Sequence, residues 1–84
     1  MKFTVVWVPS AERDLADLWN TASDRAKLSA AADAIDLSLA WDPLSQGEGR
    51  EGTRRILLVD PLAVSFDVEV QDCRVTVLGI WRWP

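Results

Sequence analysis

The sequence predicts a small α+β domain. Its element order is β-α-α-β-β-β, with a helical hairpin packed on one face of a mainly antiparallel, twisted sheet. Three observations predict it. Val64, Phe66, Val68 and Val70 are apolar at every second position, with Ser65, Asp67 and Glu69 between them, the pattern of a half-buried strand. Ala11, Leu15, Leu18, Trp19 and Ala22 recur at helical spacing, as do Leu28, Ala31, Ala32, Ile35 and Leu39. The chain has 84 residues, the size of one domain spanning 1–84, and no internal repeat divides it.

The elements follow in order. Phe3, Val5 and Trp7 alternate with Thr4, Val6 and Val8 in a first strand, Met1 to Val8. Both sets are largely apolar, which predicts a strand inside the sheet or under the helices. Pro9 ends it. Ser10 is the expected cap of the first helix, with Glu12 placed where the helix dipole favours an acid. A short polar break, Asn20 to Ser23, makes the two helices an antiparallel pair, with Ser23 the expected second cap. Ala30, Ala31, Ala32 and Ala34 favour helix, and Asp42-Pro43 ends it, because a residue before proline avoids the helical region.

Pro43 to Thr53 carries three glycines and reads as a loop. Three strands then succeed one another: Arg54–Val59, Leu62–Val70 and Cys73–Trp81, joined at Asp60-Pro61 and Gln71-Asp72. Arg82-Trp83-Pro84 closes the chain. Trp7, Trp19 and Trp41 are expected to fill the core between hairpin and sheet, and Trp81 to pack under the hairpin.

Composition excludes several classes. There is one cysteine, Cys73, and no histidine, which removes a disulfide framework, a His metal ligand, and Ser-His-Asp or Cys-His catalysis. No metal or other cofactor is expected. The net charge of −4 argues against a chain that binds nucleic acid by neutralising phosphate, so direct specific DNA binding is not expected. Residues 1–42 carry seven acids and four bases, and residues 43–84 carry six acids and five arginines. The apolar N-terminus is too short for a signal sequence, and no apolar run reaches the ~20 residues of a membrane helix, so a cytoplasmic location is expected.

Among motifs, Gly47-Glu48-Gly49-Arg50-Glu51-Gly52 has the spacing of a dinucleotide fingerprint, but it follows a helix and precedes a strand. No helix N-terminus is there to hold a pyrophosphate, so it reads as a connector. Asp14 with Asp17 and Asp33 with Asp36 lie three apart on predicted polar helix faces and read as solvated. Cys73 beside Arg74 has no general base and reads as structural. The arginines are the better candidates. Arg54 and Arg55 are adjacent on a strand and point to opposite faces. Arg82 lies between Trp81 and Trp83, an arrangement that suits stacking or clamping a carboxylate. Arg82 and Trp83 stay open between a binding role and packing, with Arg82 paired to a surface acid.

Here the sequence resembles the RelE/ParE family, the toxin halves of bacterial type II toxin–antitoxin modules. The resemblance spans nearly the whole chain. It rests on the element order, on Val6-Trp7-x-Pro9-Ser10-Ala11-Glu12-Arg13-Asp14-Leu15, on Leu39 and Pro43, on Arg54-Arg55-Ile56-Leu57, and on Val75-Thr76-Val77-Leu78-Gly79-Ile80-Trp81-Arg82. It implies a growth inhibitor, of the kind encoded by plasmid-stabilisation modules, neutralised by a cognate antitoxin. It also implies one of two activities: ParE-like inhibition of DNA gyrase, or RelE-like cleavage of mRNA in the ribosome.

In the second case the resemblance makes Arg55 and Arg82 the catalytic candidates. However, Leu62 or Ala63 stands where an arginine begins the middle strand, and no tyrosine or histidine follows the last strand. Cutting RNA needs a base for the 2′-hydroxyl and an acid for the leaving oxygen, and only cations are present. The expectation is therefore a binding toxin, ParE-like, that contacts its target through Arg54, Arg55, Arg82 and Trp83 on a surface away from the hairpin. The alternatives are the endoribonuclease and a non-toxic antitoxin-binding module.

Overall fold

The computed structural model describes residues 2–49 and 53–83, with Glu48 by its backbone alone. Strand β1 is Thr4–Trp7, helix α1 is Pro9–Thr21 and helix α2 is Arg25–Trp41. A 3-10 turn at Pro43–Ser45 leads to a two-residue strand β2, Glu48–Gly49. Strands β3 (Arg54–Val59), β4 (Leu62–Glu69) and β5 (Arg74–Arg82) form the meander. The sheet order is β1-β5-β4-β3-β2. All neighbours are antiparallel except β1, which runs parallel to β5 with Val5 opposite Val75 and Trp7 opposite Val77.

The first strand is thus an edge strand. Its apolar residues divide between the helix side, where Val5 and Trp7 pack on the core, and solvent, where Val6 is exposed. A four-residue strand is short enough for such an edge to be tolerated.

Both helices start elsewhere than at the expected serines. Pro9, whose fixed φ suits the first helical position, makes Val8 the cap of α1 and leaves Ser10 inside it. Asp24 caps α2 in place of Ser23, without a side-chain bond to the helix backbone. Arg25 then turns back onto α1. Its Nε–H donates to the Trp19 carbonyl and its Nη2–H to that of Asn20, each at 2.9 Å, and its guanidinium lies 4.8 Å from the Trp19 ring centre. The last turn of α1 has no basic residue, so the first turn of α2 supplies the cation that its exposed carbonyls favour.

The core lies between the hairpin and one face of the sheet. Leu62, Val64, Phe66, Val75 and Val77 are fully buried on the sheet, with Leu28, Ile35 and Leu39 opposite on α2 and Ala11 on α1. No buried polar residue interrupts it among the described residues. The tryptophans are not its filling. Trp7 is half-buried, with its Nε1–H donating to Asp36 at 3.0 Å, while Trp19 and Trp41 are exposed. The aliphatic residues of α2 and the three central strands already close the interior, so the large rings lie on its rim.

The connector after α2 is more ordered than a loop. Gly47 has φ +69°, and a Cβ there would collide with the Ile56 carbonyl oxygen, so only glycine lets this backbone lie against β3. Arg50, Glu51 and Gly52 of the glycine-rich motif lie outside the described residues.

One irregularity decides where the C-terminal side chains go. Ser65 pairs with Gly79 but Phe66 pairs with Val77, leaving Leu78 as an extra residue on β5. Strict alternation from Val75 and Val77 would carry Gly79 and Trp81 to the hairpin side. The bulge shifts that phase by one. Ile80 becomes buried and Trp81 turns to the open face, where a ring carbon lies 3.9 Å from the place a Gly79 Cβ would take. Arg82 turns towards the hairpin.

Phe66 is the largest fully buried side chain. Truncation to alanine is expected to cost about 3–5 kcal/mol, a large share of the ~5–10 kcal/mol margin of so small a domain. Urea denaturation of Phe66→Ala checks this, and a change below ~1 kcal/mol would show that the core lies elsewhere.

Candidate functional site

The candidate surface is the C-terminal end of β5 with the arginines of β3. Arg82 is the last residue of β5, and the bulge aims it at the joint between the helices. Its Nη1–H donates to Asp24 Oδ2 at 3.2 Å and its Nη2–H to Oδ1 at 2.9 Å, the two-pronged match of a planar guanidinium to a carboxylate. These residues are 58 apart in sequence. The contact holds the Asp24 carboxyl below its usual value, chiefly through the hydrogen bond from Arg82, and raises Arg82 in turn. It also explains the bare cap of α2, because the Asp24 oxygens that would meet the helix N–H groups are taken by Arg82.

Arg54 and Arg55 diverge as neighbours on a strand must. Arg54 lies on the open face, 3.7 Å from Asp67 on β4, its partner in the register. Arg55 faces the other way, half-buried, and its Nε–H donates to the Gln46 carbonyl at 2.9 Å. The close approach of Gly47 to Ile56 brings that carbonyl into range. Trp83 follows β5. Its backbone N–H donates to the Pro61 carbonyl at 2.8 Å and its side chain is 52% exposed.

The four expected target contacts therefore do not form one patch. Arg54 and Trp83 are exposed, Arg55 is tied to the connector, and Arg82 is engaged by the hairpin rather than turned away from it. Sequence reasoning missed the row Leu58, Ala63 and Trp81, aligned across β3, β4 and β5 on the open face. Ala63 is fully buried although the hairpin is on the other side, while Leu58 and Trp81 are exposed. The alternation of the strands suggested part of this row, but the bulge that turns Trp81 to the open face had no sequence signal.

The chemistry of the surface is aromatic and aliphatic, with its cations partnered. Arg74, at the far end of β5, pairs with Glu69 at 3.1 Å and Asp72 at 3.6 Å. No group of three His, Cys, Asp or Glu suited to a metal occurs among the described residues. No helix among them is long and apolar enough to cross a membrane.

A helical hairpin on one face of a mixed sheet, with an arginine–tryptophan end on the last strand, defines a class of small α+β domain. No protein-family model matches the chain, and no curated protein matches its sequence. Solved structures do match. A chain of the toxin–antitoxin complex RelBE2 from Mycobacterium tuberculosis superposes with TM-score 0.77 and 19% identity, covering 98% of this chain and 92% of that one. A chain of the chromosomal ParDE system of P. aeruginosa gives 0.72 and 18%, covering 99% and 98%. The fold also matches part of TrmO from Pseudomonas aeruginosa, with TM-score 0.65 and 22% identity, where 95% of this chain corresponds to 35% of the other. The chain has the fold of the RelE/ParE toxins, and at these identities the likeness is one of fold.

The Arg82–Asp24 contact has a pH signature. The folded chain holds the Asp24 proton less tightly than the unfolded chain does, so the unfolded state takes up more protons in acid. The contribution is complete above the ordinary aspartate range and is lost as pH falls below about 4. Asp24→Asn is therefore expected to be less stable at neutral pH and to have a shallower acid limb. Guanidinium melts from about pH 5 to about 2.5 measure the slope, and identical slopes in both proteins would remove the contact from the account.

Proposed function

We propose that this chain is the toxin half of a type II toxin–antitoxin module, and that it acts by binding a protein target, as gyrase inhibitors of the ParE type do. The fold supports the module. The state of Arg82 supports binding over cleavage. A cation that stabilises a scissile phosphate must present its N–H groups to the substrate, but two of the Arg82 N–H groups are closed on Asp24. The chain has no histidine and no tyrosine to exchange protons with a 2′-hydroxyl or a leaving oxygen. What the C-terminal surface offers is Trp81, Trp83 and Leu58, with Arg54 farther along the same open face. Exposed aromatic and arginine side chains of this kind anchor protein interfaces.

The antitoxin is the second partner in this reading, and two surfaces suit it. One is the outer edge of β1, where an extended segment adds a strand. The other is the apolar groove between the helices, lined by Leu15, Ala16, Trp19, Leu28 and Ala32, which fits an amphipathic helix.

Induced expression of the chain alone, with separate pulse labelling of DNA and protein synthesis, tests the proposal. DNA synthesis is expected to fall first, and Trp83→Ala is expected to abolish the effect while leaving the circular dichroism unchanged. An early fall in protein synthesis that Arg82→Ala abolishes would overturn this in favour of the endoribonuclease. No fall in either would leave a binding module without toxicity.

A further inference from the structure

The two surfaces that suit an antitoxin meet along one side of α2. Ser29, Ala32, Asp33, Asp36 and Ala40 fall within an arc of about 100° at 3.6 residues per turn. The first three line the groove against α1, with Leu15 and Trp19 on its other wall. Asp36 and Ala40 line a second groove, against β1, whose other wall is Phe3, Val5 and Trp7. Asp33 and Asp36 are about one turn apart, so the grooves join there into a track about 16 Å long from Ser29 to Ala40. The Thr4 N–H donates to the Cys73 carbonyl and the Val8 N–H to that of Val77. By the alternation of a strand, the backbone groups of Val5 and Trp7 therefore point away from β5, along the second groove.

The middle of this track is acidic. Glu12 of α1 and Asp33 of α2 rim the first groove, and Asp36 rims the second. All three are exposed, and none forms an ion pair among the described residues. Asp36 accepts one bond, from the Trp7 indole at 3.0 Å, and its carboxylate has further acceptor capacity. The cations stand at the two ends. Arg25 is bound to the α1 carbonyls and stacked on Trp19, and Lys2 lies over the Trp41 ring. No base lines the track between them. We propose that this track docks one segment of the antitoxin and that the segment is basic. Its apolar residues lie on the groove floor, and lysine or arginine side chains lie over Glu12, Asp33 and Asp36. This rests on the reading of the chain as a toxin half.

The walls are held before anything binds. The Trp19 Nε1–H donates to the Ser29 hydroxyl at 3.2 Å and Arg25 covers one side of its ring, so little ordering remains for a partner to impose. Ala16 and Ala32 are small and let a docked helix lie close. Past Asp36 an extended stretch pairs with the backbone of Val5 and Trp7 and turns alternate side chains towards Asp36 and Ala40. Exposed carboxylates add little affinity one by one. Together they select the sign of the partner, because a like charge set against them is repelled. The net charge of −4 on the whole chain acts in the same direction at longer range.

Heteronuclear NMR of the isotope-labelled full chain, made by cell-free synthesis, reads the tryptophan indole N–H signals as synthetic peptides are added. Both peptides carry Leu and Ala on one helical face and end in a short alternating tail of Val. One has Lys at every other polar position, and its twin has Glu there. The Lys peptide is expected to move the Trp7 and Trp19 signals, to leave those of Trp81 and Trp83, and to bind about tenfold or more tightly than its twin. Glu12→Lys combined with Asp33→Lys is expected to reverse that preference with unchanged circular dichroism. Asp33→Lys alone, at an exposed mid-helix position, is expected to narrow it, which keeps the test readable where the double variant loses its fold. Failure of both peptides to bind, equal binding of the two, or a preference untouched by the substitutions overturns the proposal, as do shifts confined to Trp81 and Trp83. A preference that holds in a chain that inhibits neither DNA nor protein synthesis when expressed overturns the toxin reading and keeps the basic track.

Discussion

The structure depends on β5 being paired on both edges. Its antiparallel side to β4 is made by a local hairpin, but its parallel side to β1 joins residues 4–7 to residues 74–77. A parallel pair cannot be closed by a tight turn, so the chain must leave β1, cover the sheet and return. The two helices make that crossover and also roof the core. Val75 and Val77 are fully buried because β1, β4 and the hairpin all meet there. The pairing that defines the fold therefore forms between the ends of the chain, and its closure entropy is recovered only when the core assembles.

The same strand decides what the surface can do. The extra residue at Leu78 reverses the phase of everything after it. Trp81 goes to the open face over Gly79, while Arg82 goes to the hairpin and closes on Asp24. An arginine that the sequence leaves open between a binding role and pairing with a surface acid becomes a tie between the end of the sheet and the joint of the helices. The net charge of −4 makes such partnering easy, because acids outnumber bases in the chain. Arg54 finds Asp67, and Arg74 finds Glu69 and Asp72.

Helix α2 shows why a helix with apolar residues on more than one side has to be understood through its neighbours. One face must be covered for the domain to fold. The opposite face stays exposed, with Lys2 over the Trp41 ring. The charges of its first turn run against its own dipole, but Arg25 there serves the carbonyl end of α1. Residues that look unfavourable on one element are accounted for on the next.

The sequence by itself determined the element order, the strand alternation of β3 to β5, the two helices, and the aliphatic core of α2 and the meander. These follow from periodicity and from proline, which act within a few residues. It also determined that no histidine chemistry exists. Only the tertiary structure decided the edge position of β1, the exposure of Trp19 and Trp41, the helix starts at Pro9 and Arg25, and the partners of the arginines. Each of these turns on a contact between distant segments: β1 with β5, or Arg82 with Asp24. The bulge at Leu78 turns on the register of one strand against another. A period of two cannot announce where it slips by one, because the slip is fixed by the partner strand and by the core that Ile80 must enter.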